Sequence, residues 1–377
     1  MTFEHYVRSG TKMLRCGYTT GTCAALAAKA ASEFALKGQV PSSVSVMTGR
    51  GILVETEIEE SGSEGGRFWC AIKKDAGDDI DATNGILVFA YVTLQDEEGI
   101  SIDGGKGVGR VTKPGLDQPV GNAAINSVPR RMITEAVQSV FDEAGFEGGA
   151  SVIISIPEGE EIASKTFNPV LGVEGGISVI GTNGIVEPMS EQALVDTIEV
   201  EMRQKSEYTK DLIITPGNYG ETFLKGSDLN KVDIPTVKFS NFLGDTLDMA
   251  AYMKFRKVLL VAHIGKMVKV AGAIMNTHSR WADARAEIFC AHAAICGASQ
   301  EACKEIMDAA TTDAAIEILD KEGLRDKVIS SILGKVQEKL EHRVLGAYEI
   351  GAVTFSNVYG YLGETEEAKG IIDSWIK

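Results

Sequence analysis

The stretch Leu212-Ile213-Ile214-Thr215-Pro216-Gly217-Asn218-Tyr219-Gly220 decides the architecture of the second half of the chain. A short apolar run leads into a Pro-Gly turn and then into a segment of helical character. An apolar run of this length, bounded by turn residues, reads as a strand buried on both faces. The design recurs. Val237–Phe239 leads into Ser240-Asn241-Phe242-Leu243-Gly244-Asp245, and Val258–Ala262 leads into His263-Ile264-Gly265-Lys266. A fourth run, Val353–Phe355, follows a helical, acid-rich excursion over Asp283–Cys296, Gln300–Ala310, Thr312–Leu319 and Lys327–His342. Strands that alternate with helices predict a parallel sheet covered on both faces, that is, a Rossmann-like α/β domain with a small parallel sheet.

The first half has another rhythm. Ala24–Leu36 is an alanine-rich helix entered through Thr20-Gly21-Thr22, whose hydroxyls suit an N-cap. Val44–Met47 and Ile52–Glu59 alternate across a Thr-Gly-Arg-Gly turn as a hairpin. Phe68–Lys73, Ile86–Leu94, Val152–Ile156 and Ile177–Ile180 read as strands, and Arg130–Ala144 as a helix after Pro129. Strands clustered with two helices predict an α+β domain. We place the boundary near 190–210, with an α+β domain over 1–195 and an α/β domain over 196–377.

Composition limits the partners. The 377 residues carry 37 basic and 53 acidic side chains, a net charge of −16, which excludes nucleic acid as a bulk partner and disfavours an anionic membrane. The sequence has no run of about 18 apolar residues, and its first residues lack the apolar core of a signal peptide. Six cysteines without a CxxC pair read as reduced thiols, so the expectation is a cytoplasmic protein. Glycine is abundant, 41 residues against 9 prolines, which points to close backbone approaches rather than a linker.

Several segments are candidates for chemistry. Cys16–Cys23, ahead of the alanine-rich helix, offers backbone N–H groups and the hydroxyls of Thr20 and Thr22 to an anion, and a well-capped helix explains it equally. Lys73–Gly85 has four acids, among them Asp75, which fit a general base, a cation site or a solvated turn. Gly104–Gly115 holds Lys106, Arg110 and Lys113 without an acid, and suits carboxylate contacts or a surface hairpin. Arg130 and Arg131 start a helix, where a cation opposes the macrodipole. In the second half each of the three strand ends reads singly as an ordinary strand-to-helix turn, and the three together point to a cofactor site, with Asp245 a candidate for ribose hydroxyls. The segment His263–Arg285 sets Lys266, Lys269, Arg280 and Arg285 against one acid, Asp283. His263 is a proton carrier or a packing residue there. Seven such motif segments sum to +4, leaving −20 on the other 254 residues, as a local basic pocket for a polyanionic small molecule requires. We expect no protein-bound metal: Cys290, His292, Cys296 and Cys303 are a candidate set, but Gly297 interrupts the helix and alanine-cysteine faces are commonly buried small residues.

The strings CGYTTGTCAALAAKAA (16–31), KDAGDDIDATNG (74–85), GVGRVTKPGL (107–116), AINSVPRRMI (124–133), KTFNPVLGVEGGISVIGTNGIVEPMS (165–190), TPGNYG (215–220), KFSNFLGDTLDMA (238–250) and HIGKMVKVAGAIMNTHSRWADAR (263–285) resemble the cobalt-precorrin-5B (C(1))-methyltransferase family of anaerobic cobalamin biosynthesis. One departure is Ala262, where the family usually carries glycine. The resemblance implies methyl transfer from S-adenosylmethionine to carbon 1 of a cobalt-bearing tetrapyrrole, giving cobalt-precorrin-6A, with cobalt present only as part of the substrate. On that reading Thr215, Gly217, Asn218, Gly220 and Asp245 meet the methyl donor. Thr20, Thr22, Lys106, Arg110, Lys113, Arg130, Lys266 and Arg280 meet the substrate, and His263 or Asp75 moves a proton. The expected partner is a small tetrapyrrole polycarboxylate, with no nucleic acid and no membrane, and a homo-oligomer is compatible. The rival readings are an ATP-dependent small-molecule kinase and a non-catalytic corrinoid-binding protein.

Overall fold

The computed structural model describes residues 3–166, 168, 169 and 171–376; Phe167 and Val170, inside the 165–190 motif, lie outside them. The chain divides into two units, Met1–Glu191 and Gln192–Lys377.

The first unit is organised by helix α1 (Thr20–Lys37). Its alanines let it approach both a sheet and a second helix, α2 (Ser127–Ala144), closely, and Cys23 through Ala28, Ala30 and Ala31 have no exposed surface. Thr19 caps α1 by accepting from the Thr22 N–H at 3.2 Å, and Gly38, at φ 70°, ends it. The sheet contains β1 (Glu60–Glu64), β2 (Arg67–Lys73), β3 (Leu87–Gln95), β4 (Gly99–Gly104) and β5 (Gly149–Ser155), in the order β1-β2-β3-β5-β4. Only β4 and β5 run parallel. Val88, Ala90 and Val92 join the core that α1 fills, while on the opposite face Phe89 and Tyr91 stack on each other and meet Trp69 at tilted angles. The expected hairpin forms between Ser43–Met47 and Leu53–Glu57. Helix α2 starts earlier than the sequence predicts, because Asp117 accepts from both the N–H and the hydroxyl of Ser127. Of the Ile177–Ile180 run, only Ile177 enters a strand, the two-residue Gly176–Ile177 beside Gly107–Val108, and Val179 makes a single bridge to Ile125.

The second unit is an α/β arrangement around a largely parallel sheet. After α3 (Glu191–Ser206) come β6 (Asp211–Thr215), α4 (Asn218–Lys225), β7 (Thr236–Lys238), α5 (Leu243–Tyr252), β8 (Lys257–His263) and α6 (Ile264–Ala271). Four helices follow, α7 (Arg285–Cys296), α8 (Gln300–Asp308), α9 (Thr312–Lys321) and α10 (Arg325–Val344). Then come β9 (Glu349–Ser356), β10 (Gly360–Glu364) and α11 (Glu366–Ile376). The order is β7-β6-β8-β9-β10, all parallel except β10. Period-two burial divides each strand between two cores. Leu212, Ile214, Val258 and Leu260 pack with α5, α6, α7 and α10, while Ile213, Leu259 and Val261 pack with α4 and α11. The chain leaves β6 toward β7 on one side, and β8 toward β9 on the other. The carboxyl ends of β6 and β8 therefore flank the topological switch point, where open α/β sheets bind ligands.

Gly351 of β9 lies directly under α11: a Cβ there would sit 2.3 Å from the Ala368 N and 2.4 Å from its Cα. Because both obstacles are backbone, Gly351→Ala must displace α11. We expect a loss of about 1–3 kcal/mol, read as a lower urea midpoint for the second unit. A midpoint equal to the wild type would overturn this packing.

Candidate functional site

The switch point is built from the first residues beyond three strands. Thr215 ends β6 with no exposed surface, and its Oγ1 has no hydrogen-bond partner. Gly220 allows this, since a Cβ at that position would lie 1.6 Å from Thr215 Oγ1. Gly217 faces open space, and Asn218 opens α4, its Oδ1 accepting from Lys238 Nζ at 3.4 Å. Beyond β7, Ser240 and Asn241 lead to α5, whose first turn presents Asp245 on the surface. Beyond β8, His263 caps α6: its Nδ1 accepts from the Gly265 N–H at 3.1 Å, which leaves Nε2 for the ring proton. The ring stands edge-on to Phe355 and is half-buried.

Two lysines of α6 hold the surrounding loops. Lys266 Nζ donates to the Ser240 carbonyl at 3.1 Å and to Asn241 Oδ1. Lys269, 3% exposed, donates to the carbonyls of Thr277 at 3.2 Å and Ala282 at 2.8 Å. Burial pushes both ammonium groups below the usual lysine range; the Lys269 charge lowers Lys266 further, and Asp283 opposes the shift at Lys269. Arg280 is exposed, its guanidinium 5.9 Å from the centre of the Trp281 ring.

In the first unit the predicted residues divide by what they already touch. Thr20 Oγ1 donates to the Ile180 carbonyl at 3.2 Å and accepts its N–H, and Thr22 Oγ1 donates to Gly184 at 2.7 Å. With Gly21 N–H also on Ile180 and Thr19 N–H on Gly184, the start of α1 is filled by protein carbonyls rather than left as an anion cradle. Asp75 takes Arg15 on both oxygens, at 2.5 and 2.8 Å, and the Gly77 N–H on Oδ1. Burial raises its carboxyl, but these donors outweigh it and hold it below the usual range. Asp81 pairs with the buried Lys74, and Asp78 and Asp79 accept backbone N–H groups, so the acidic loop is internally satisfied. Arg130 spends its guanidinium on the carbonyls of Ile125, Ile102 and Ala123, at 2.8, 2.8 and 3.4 Å. Lys106, Arg110 and Lys113 are exposed, with Arg110 on Asp103 at 2.7 and 3.0 Å. Their loop is locked by glycine contacts: the Gly107 carbonyl lies 2.1 and 2.2 Å from where Cβ atoms on Gly159 and Gly176 would stand. Among the described residues no three His, Cys, Asp or Glu side chains gather as a metal site. No helix among them is long and apolar enough to cross a membrane.

Sequence reading missed Lys269 as a clamp and Trp281 as an exposed aromatic. A lysine and a tryptophan in the His263–Arg285 motif are visible in the sequence, but burial of one and exposure of the other are not.

The CbiD family matches residues 7–188, and the CbiD C-terminal domain matches 276–366. The chain is 48% identical to the cobalt-precorrin-5B C(1)-methyltransferase of Ruminiclostridium cellulolyticum, over 94% of this chain and 92% of that one. It is 40% identical to that of Alkaliphilus metalliredigens, over 98% and 97%. A crystal structure of a cobalamin biosynthesis protein from Archaeoglobus fulgidus matches with 29% identity, 75% and 87% coverage and a TM-score of 0.40.

Burial disfavours the charged form of the His263 ring, against a smaller opposing pull from Asp313, and of the His292 ring, so both fall below the usual histidine range. The unfolded chain takes up these protons near pH ~6.5, while the folded rings resist them. Stability is therefore fully present above about pH 6.5 and falls as the pH drops through the folded values. His263→Asn keeps a capping acceptor and removes one titrating ring. We expect thermal midpoints measured from about pH 5 to 7.5 to slope less than in the wild type. An unchanged slope would exclude the buried-ring assignment.

Proposed function

Since the chain belongs to the CbiD family, we infer that it methylates carbon 1 of cobalt-precorrin-5B in cobalamin biosynthesis. The observation that carries the reading is near-full-length identity of 40% and 48% to relatives named for that reaction. S-adenosylmethionine, the methyl donor implied by this chemistry, supplies a methyl group already activated on a sulfonium sulfur. What remains for the protein is alignment, which contributes up to about 7–11 kcal/mol in favourable cases.

The residues beyond β6 and β7 fit the donor. The Thr215 hydroxyl is a buried polar group in want of a partner, Gly217 leaves open space, and Asp245 offers an exposed carboxylate to ribose hydroxyls and favours a cationic group nearby. Asn218 adds an amide beside Gly217, and Gly220 keeps the first turn of α4 against Thr215. Thr215 to Gly220 and the start of α5 thus make a cofactor end of the sheet, in the manner of a Rossmann-like domain. For the substrate, Lys106, Arg110, Lys113 and Arg280 are the exposed cations that suit its carboxylates. Thr20, Thr22, Arg130 and Lys266 are spent on neighbouring protein groups, so their part is to fix the backbone at Ile180 and Gly184, at Ile102 to Ile125 and at Ser240 and Asn241. Of the two proton carriers considered, His263 keeps Nε2 for a ligand, whereas Asp75 is engaged by Arg15 and Gly77. The kinase reading loses its phosphate cradle, because the start of α1 is already filled. Cobalt enters with the substrate.

Anaerobic incubation with labelled S-adenosylmethionine and cobalt-precorrin-5B is expected to add one methyl group, read by mass spectrometry. No gain, with substrate that a control enzyme converts, would sink the reading. Asp245→Asn should weaken S-adenosylmethionine binding about tenfold or more by calorimetry, as removal of a charged hydrogen-bond acceptor does. A triple Lys106→Ala, Arg110→Ala, Lys113→Ala variant should raise KM for the tetrapyrrole roughly tenfold or more and leave affinity for the donor unchanged. Equal KM values would remove these cations from the substrate contacts.

A further inference from the structure

The segment after α6 carries more than its one predicted contact. It leaves the helix through Ala273 and reaches α7 through Ala284, both non-glycine residues in the left-handed region, at φ 60° and 51°. Ser240, on the loop against which it docks, is a third, at φ 55°. Three of the chain's six described residues of this kind thus gather at one place, and each costs about 1–2 kcal/mol and persists only where its surroundings over-determine it.

The surroundings do so. Thr277 N–H donates to the Asn241 carbonyl at 3.0 Å, and Asn276 bridges Phe242. The same Lys269 ammonium takes the carbonyls of Thr277 and Ala282, drawing both sides of the loop onto one buried charge. Asp283 lies 3.9 Å from that ammonium and binds Arg285 at 2.5 and 2.8 Å. Between the two anchored carbonyls the chain makes a tight turn, with Trp281 N–H on the His278 carbonyl and Arg280 N–H on His278 Nδ1, each at 3.0 Å. The turn is rigid at its neck and yet displays a large aromatic ring: Trp281 is 59% exposed, with the Arg280 guanidinium beside it. An indole held in water by a fixed loop, next to a strand-end site, is suited to a flat ligand, and the arginine to an anionic one.

We propose that the loop Asn276–Asp283 is a preformed substrate finger, in which Trp281 and Arg280 take the planar, carboxylate-bearing tetrapyrrole and Lys269 is the positioning residue that fixes it. The proposal rests on the methyltransferase reading above. It adds a stacking contact and assigns the buried lysine to preorganisation rather than to proton transfer.

The test uses the full chain, with cobalt-precorrin-5B and S-adenosylmethionine as probes. Trp281→Ala, at an exposed tip, should raise the tetrapyrrole Kd and KM about tenfold, with kcat at saturation and donor affinity within about twofold of the wild type; Trp281→Phe should recover most of the loss. Lys269→Met should raise the tetrapyrrole KM more than the donor Kd and accelerate tryptic cleavage after Arg280, located by peptide mass. If Lys269→Met does not fold, the Trp281 pair decides alone. A wild type that methylates, with a Trp281→Ala variant matching its tetrapyrrole Kd and KM, overturns the finger and leaves the functional reading standing. A wild type that neither binds nor methylates the tetrapyrrole overturns both.

Discussion

A buried ammonium bound to backbone carbonyls is the interaction on which the carboxyl end of the second sheet depends. Loop carbonyls have no ladder partners, and any that leave water need a donor. Lys266 and Lys269 lie three residues apart on α6, on neighbouring positions of one face, and each reaches a different loop. Lys266 takes the loop beyond β7, and Lys269 takes the loop beyond α6. Removing an ammonium from water costs several kcal/mol, which the depressed basicity of both groups reflects. The carbonyls, with Asp283 opposite Lys269, offset that cost only in the arrangement observed. The same contacts hold Ser240, Ala273 and Ala284 in backbone conformations that they would not adopt alone.

The first unit uses the device in other forms. Arg130 ties the Ala123–Ile125 loop to β4 through three carbonyls, Arg15 fixes Asp75, and Lys74 fixes Asp81. The positive charge that the sequence concentrates in its motif segments is therefore of two kinds. Arg15, Lys74, Arg130, Lys266 and Lys269 are internal cross-links. Lys106, Arg110, Lys113 and Arg280 are exposed to solvent, with Arg110 paired to Asp103 at the surface. Charge counts along a sequence cannot separate these kinds, because their partners lie as far away as Asp75 from Arg15, 60 residues on.

What was legible follows from which signals are local. Runs such as Val258–Ala262 announce a strand because both faces are buried and every residue is apolar. Glu60–Glu64, Gly99–Gly104 and Gly360–Glu364 do not, and each is the edge of its sheet, with one side unpaired and little apolar surface to bury. The alanine-rich helix was legible, but the task of Thr20 and Thr22 was not, since Ile180 and Gly184 arrive from about 160 residues away. The glycines of the basic loop were legible as places of close approach. What approaches there is the backbone at Ile156, Gly159 and Gly176, partners that local sequence does not name. Trp281 and Lys269 sat inside a recognised motif, but tryptophan is ordinarily buried and lysine exposed, and here each does the opposite.

Methyl transfer from a sulfonium explains why such rigidity matters more than an array of acids and bases. The methyl group is already activated, so the rate depends on holding the carbon nucleophile, methyl and sulfur in line, and misplacement by about 1 Å costs as much as 10²-fold. Loops held by buried cations have the fixed geometry that such placement demands. The acidic remainder of the surface contributes from outside. A substrate rich in carboxylates meets a protein of net charge −16, on which exposed cations such as Lys106, Arg110, Lys113 and Arg280 stand against an acidic background. The same excess of acid that excludes nucleic acid therefore restricts the faces on which a polyanionic macrocycle can settle. Internal cations set the geometry of the loops, and external ones are left as positive points on an acidic background.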